Sequence, residues 1–184
     1  QQNLINYLAR MEFFFFFNVE GVDVESARNP AGEPHSCVEL LRITETDQSE
    51  VIASRLVQAM TGQDASNDAE LEPYRRPIEY ALKELLENAL SHARREGNAG
   101  SGAWVACQHF QEGDTVRLSI VDNGCGFLAT LAGHRQLLEA TDASAIKTAL
   151  IERVSCNRGP LTAYETDSQN QGVGLTMTAR IADR

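Results

Sequence analysis

Apolar residues recur at helical spacing over residues 78–95. Ile78, Ala81, Leu82, Leu85, Leu86, Ala89, Leu90 and Ala93 fall on one face, which predicts a long amphipathic helix. Residues 97–102 carry the glycines that stop it. Two strand-like runs follow, 103–110 and 115–121, joined by Glu112-Gly113-Asp114 in the manner of a hairpin. Further helices are predicted over 143–154 and 173–182, with a polar loop over 155–171 between them. Upstream, Leu4, Ile5, Leu8 and Met11 give a short helical pattern, the phenylalanines at 13–17 a buried strand, 38–43 a strand and 49–60 a helix. Residues 29–34 read as a loop. These elements divide the chain into an incomplete N-terminal α/β segment (1–62), a polar linker (63–72) and a main domain (73–184).

At 184 residues, 42% of them hydrophobic and 23% charged, the chain buries a real core and has ordinary globular composition. A formal net charge of −10 argues against a general nucleic-acid binder, which needs a basic patch against phosphates. It leaves a nucleotide site open, since that needs only local positive potential and backbone N–H groups. Cys37, Cys107, Cys125 and Cys156 are widely spaced and read as reduced thiols of a cytoplasmic protein. Cys107 and His109 share one strand face, too few ligands for zinc. No segment is long and apolar enough to span a membrane, and the run at 13–17 is too short for a signal-peptide core. Gln1 in place of Met, and a last residue Arg184 close behind the final helix, lead us to expect structure missing at both ends.

Chemistry-bearing residues gather at three places. Glu84, Asn88 and His92 stand at i, i+4 and i+8. Each step turns the helix by about 40°, so they form one stripe along the border of the apolar face, while Lys83, Glu87 and Arg94 point away. On the second strand Val116, Leu118, Ile120 and Asp122 share parity, which brings a carboxylate onto an apolar face where it needs a donor. Gly124 and Gly126 follow and permit a tight turn with positive φ; taken alone, Asp122-Asn123-Gly124 is also an ordinary turn sequence. Gly172 and Gly174 open the last helix, where bare amide groups suit phosphate.

The segments 84–93 (Glu-Leu-Leu-Glu-Asn-Ala-Leu-Ser-His-Ala), 122–127 (Asp-Asn-Gly-Cys-Gly-Phe) and 172–175 (Gly-Val-Gly-Leu) resemble, in that order, the N, G1 and G2 boxes of the GHKL ATPase superfamily. Its members include gyrase-type topoisomerases, heat-shock chaperone ATPases, histidine-kinase catalytic domains and mismatch-repair ATPases. The resemblance covers about residues 73–184. It implies a Bergerat-type α/β sandwich: a mixed, mainly antiparallel sheet with helices on one face and ATP between the helices and a lid. By the same resemblance Asn88 holds Mg²⁺, Glu84 activates the attacking nucleophile, and Asp122 accepts from the adenine amine. Gly124 and Gly126 lie against the base, and Gly172, Gly174 and Leu175 form the phosphate end. The lid would occupy residues 128–171, where spacing does not choose between Arg153, Arg158 and the other basic residues for reaching phosphates, and would order its 155–171 stretch when ATP binds.

Ser91 stands where many histidine kinases have a phosphate-contacting lysine. His35 is followed by Ser-Cys-Val-Glu, so the His-Glu-x-x-x-Pro phosphoacceptor motif is missing and histidine autophosphorylation is disfavoured. The N box also resembles that of anti-sigma-type serine kinases, which often reads Glu-Leu-x-x-Asn-Ala-x-x-His-Ala, so such a kinase is compatible with the chain. Residues 7–14 resemble the stretch upstream of the ATPase domain in some stand-alone bacterial ATP-binding proteins. The expected function is therefore a cytoplasmic MgATP-binding protein that hydrolyses ATP or transfers its γ-phosphate to a protein. The alternative is a non-catalytic module in which ATP gates binding of a protein partner.

Overall fold

The structure, a computed structural model, describes residues 2–24, 37–61, 71–94, 100–113, 115–151, 154 and 174–182. The loop at 29–34, most of the linker at 63–72, the residues 97–99 and the polar loop at 155–171 lie outside these. So do His35, Arg153, Cys156, Arg158 and Gly172.

Three antiparallel strands form the described sheet in the order β1-β2-β3: Cys37–Ile43, Ala103–Phe110 and Thr115–Asp122. The β2-β3 connection is the expected hairpin, closed by a 3₁₀ turn at Gln111–Gly113. Three rows of side chains cross the sheet on its inner face. They are Val38–Cys107–Leu118, Leu41–Val105–Ile120 and Ile43–Ala103–Asp122. A bulge between Val38 and Leu41 lets both point inward despite their odd spacing.

Helices α3 (Gln48–Thr61) and α4 (Glu72–Arg94) cover this inner face. Ile52, Ala53, Leu56 and Val57 of α3 share one buried cluster with Leu82, Leu86, Ala89 and Leu90 of α4 and with Val38, Ile43, Ala103, Val105 and Cys107 of the strands. Leu56, Leu86 and Leu90 are wholly buried, each removing about 1.5–3 kcal/mol of side chain from water. The segment before residue 63 thus supplies a strand and a helix to the same core as the main domain.

The helix α4 begins at Glu72, six residues before its apolar face starts, and runs through Pro77. Pro77 lacks the N–H that would reach the carbonyl of Pro73, but both residues are exposed, so that carbonyl is not forced to stay unpaired away from solvent.

The phenylalanine run departs from expectation. Phe13–Phe16 form a short helix, α2, directly after α1 (Gln2–Arg10), with none of its residues buried; Phe15 is 79% exposed. The rings satisfy one another locally, Phe13 on Phe17 at 4.8 Å and Phe15 on Phe16 at 5.0 Å, and the Phe17 N–H donates to the Phe13 carbonyl at 3.1 Å. Met11 is what β1 receives from this segment. It is buried, its carbonyl accepts the Leu40 N–H at 3.0 Å, and its Sδ takes the Cys37 thiol at 3.6 Å.

Beyond β3 the chain turns through a short helix α5 (Gly126–Thr130), then α6 (Asp142–Ala149), and later α7 (Gly174–Ala182) packs on α4. The helix α6 is capped by Thr141, whose hydroxyl accepts the Ser144 N–H at 3.2 Å, and ends five residues earlier than its apolar pattern. Leu131, Ala149 and Val154 make a second small core with Phe127, Leu137 and Leu175.

Candidate nucleotide site

A cleft of about 370 Å³ opens between α4, β3, α5 and α7. Leu85, Asn88 and Ala89 line it from α4, Leu118, Ile120 and Asp122 from β3, Phe127 from α5 and Leu175 from α7. All three sequence segments therefore contribute to one cleft: Leu85, Asn88 and Ala89 from the first, Asp122 and Phe127 from the second and Leu175 from the third. The strand parity explains the placing of Asp122. It is the last residue of the inner-face row that begins at buried Ile43 and Ala103, and it emerges where that row runs out from under the helix.

The cleft is apolar along its length and polar at Asn88 and Asp122, the usual make-up of a small-molecule site. Asp122 is exposed, and its Oδ1 accepts the Gly124 N–H at 2.8 Å. Gly126 has φ +75°, as a tight turn requires, whereas Gly124 stays outside the left-handed region; only one of the two glycines needs its freedom. A Cβ on Gly126 meets open space within 4 Å, so a ligand has room there. Thr130 donates its hydroxyl proton to the Gly126 carbonyl at 2.7 Å and closes α5 around that turn.

Along α4, Asn88 is half-buried at the cleft, while Glu84 lies one turn earlier and off its wall. Tyr80, four residues further back on the same face, has its phenol beside the Glu84 carboxylate. Burial, and then the Glu84 and Glu87 carboxylates, push the Tyr80 phenol up. Lys83 turns the other way, reaching Glu50 of α3 at 3.5 Å and Glu87 at 3.9 Å. Burial raises the Glu87 carboxyl, Lys83 draws it back, and Glu84 and Glu50 raise it further.

At the far end, Gly174 begins α7 and the Thr176 hydroxyl donates to the Leu150 carbonyl at 3.1 Å, tying α7 to the end of α6. Sequence reasoning did not assign Leu85, Ala89, Leu118, Ile120 or Phe127 to the wall. The parity shared by Leu118, Ile120 and Asp122 was the available signal for the strand residues, and the place of Phe127 at the end of the 122–127 segment for the last. Among the described residues no three His, Cys, Asp or Glu side chains stand together as a metal cluster, and no helix is long and apolar enough to cross a membrane.

The family of histidine kinase-, DNA gyrase B- and HSP90-like ATPases matches residues 74–184, and the chain belongs to it. Residues 74–184 are accordingly an ATP-binding region of the histidine-kinase-like ATPase type. No curated protein and no solved structure matches the chain.

Proposed function

We propose that the cleft holds the nucleotide base and that the chain turns MgATP over, by hydrolysis or by transfer of the γ-phosphate to a protein. The observation that carries this is the convergence of Asn88, Asp122 and Leu175 on one cleft. The donor set fits ATP. Leu85, Ala89, Leu118, Ile120 and Phe127 offer apolar surface for a planar base, and the Asp122 carboxylate stands at its edge as acceptor for an exocyclic amine. The side-chain oxygen of Asn88 is a hard ligand of the kind Mg²⁺ takes alongside its waters. Mg²⁺ neutralises phosphate charge when bound. Glu84, on the same helix stripe, would orient or deprotonate the attacking hydroxyl or water. Gly172, Gly174 and Leu175 would form the phosphate end, with Gly124 and Gly126 beside the base.

Among kinase versions, an anti-sigma-type serine kinase is the one we favour, with a protein substrate and a cytoplasmic location. The division into 1–62, a linker at 63–72 and 73–184 belongs to the same proposal, as segments that share one core and not as separately folding units. One observation favours the second reading, a non-catalytic ATP-gated interaction module: Glu84 is not among the residues that line the cleft. A turnover assay with labelled ATP separates the two. Mg²⁺-dependent release of ADP that is lost in Glu84→Gln, with ATP binding retained, supports catalysis. Binding without turnover, alone or with candidate protein substrates, supports the gated module.

A further inference from the structure

We infer that Asn123, backed by Arg42, positions the Asp122 carboxylate and thereby sets the preference of the cleft for a base bearing an exocyclic amine. This rests on the reading of Asp122 as the base acceptor.

The carboxamide of Asn123 is used at both ends. Its Oδ1 accepts the Gly102 N–H at 3.0 Å and its Nδ2 donates to the Gly100 carbonyl at 3.1 Å. Its own N–H reaches the Gly102 carbonyl at 3.4 Å. The Gly100 carbonyl also accepts from Arg42 Nη2 at 2.7 Å, and that guanidinium lies over the Trp104 ring at 5.4 Å. The junction has no slack, because a Cβ on Gly102 would stand 2.9 Å from the Ile43 carbonyl oxygen and 3.2 Å from Arg42 Nε.

Asp122 directly precedes this anchor. On its other side the turn continues through Gly124 to Gly126, which has open space around it. The turn carrying the carboxylate is thus gripped from the sheet side, and Asn123 is the grip. Aspartate would be a poor substitute: a second carboxylate keeps the acceptor for Gly102 but turns an oxygen toward the Gly100 carbonyl. Arg42 lies on β1, outside the 74–184 stretch that matches the family, so a residue of the preceding segment takes part in base selection. Neither residue touches the base in this scheme; both are positioning residues.

The test compares affinities for ATP and for inosine triphosphate, which carries a carbonyl in place of the adenine amine, in the full chain and in Asn123→Ala, Arg42→Ala and Asp122→Ala. Wild type should prefer ATP. Asn123→Ala should lose about tenfold in ATP affinity with little change for inosine triphosphate, a loss the size of one degraded hydrogen bond. Arg42→Ala should move the ratio the same way by less, and its exposed side chain keeps that variant folded if Asn123→Ala is not. An unchanged ratio in both variants, or an equal loss for both nucleotides, overturns the inference while leaving Asp122 in its role. A wild type without preference, or an Asp122→Ala that retains it, overturns the Asp122 reading and this inference with it.

Discussion

Asn88 of α4 and Asp122 at the end of β3 line one cleft, with the apolar side chains of Leu85, Ala89 and Ile120 sharing its walls. Two polar groups in an otherwise apolar cleft divide the work of recognition. The apolar walls supply non-directional burial, and the polar groups fix orientation. The helix stripe delivers one group and the strand parity the other, and the turn after β3 then holds the Asp122 carboxylate through the Gly124 N–H.

Asp122→Ala is expected to lower ATP affinity by about ten- to a hundredfold, the loss of one charged hydrogen bond of about 1.5–3 kcal/mol to the base. Its carboxylate also accepts the Gly124 N–H, so Asp122→Asn, which keeps an acceptor oxygen for the turn, should fold as wild type and still bind ATP weakly. Calorimetry giving equal ATP affinity in wild type and both variants would remove Asp122 from the site.

Glu84→Gln should retain ATP binding and lose turnover by roughly 10²–10⁴-fold, the range for a general base. Asn88→Ala should weaken binding only when Mg²⁺ is present, because its oxygen is assigned to the metal and not to the base. Binding curves with Mg²⁺ and with chelator distinguish the two. Equal losses for Asn88→Ala in both conditions would reassign it to packing.

The Cys107 thiol, buried under α3, is pushed up to about 11 by burial, with Cys37 adding to the shift. The folded protein keeps this proton while the unfolded chain releases it near the ordinary thiol value of about 8.5. A raised folded value gives a contribution that is intact below the unfolded value and is lost as pH rises through the folded one. The urea midpoint should therefore fall between pH 9 and 11, and fall less in Cys107→Ala. At pH 8 Cys107 should resist alkylation in the native state. Rapid native labelling at that position would contradict the burial on which this depends.

The long helix was legible because its leucines and alanines repeat at one spacing, and that repeat survives whatever packs against it. The direction of Asp122 was legible because the hairpin has no irregularity between Ala103 and Asp122 on one side or Thr115 and Phe110 on the other. In β1, by contrast, the bulge turns Val38 and Leu41 to the same face, which alternation alone denies. The phenylalanine run had the composition of a buried strand, but burial needs a partner, and the residue of that segment that is buried against β1 is Met11. The start of α4 at Glu72 was not legible because the apolar repeat begins only at Ile78, and the residues before it lie outside that repeat. The helix α5 hangs on one positive φ and one hydroxyl bond, neither visible as periodicity.

The shared core makes the final prediction, and it bears on whether residues 1–62 form a separable unit. Leu56 of α3 and Leu86 of α4 are both wholly buried in the same cluster, together with Val105 of β2. Leu56→Ala and Leu86→Ala should each cost about 2–5 kcal/mol, since each leaves a cavity among the same neighbours. Because the two side chains belong to one cooperative core, each variant should unfold in a single transition. Saturating ATP should raise the midpoint of both, by about 2.7 kcal/mol at a hundredfold excess over the dissociation constant, since ligand binds only the folded form. A separable N-terminal unit behaves differently: Leu56→Ala would then introduce an early transition indifferent to ATP, while the ATP-sensitive transition stayed at its wild-type position. Calorimetric scans of the two variants with and without nucleotide decide between these outcomes.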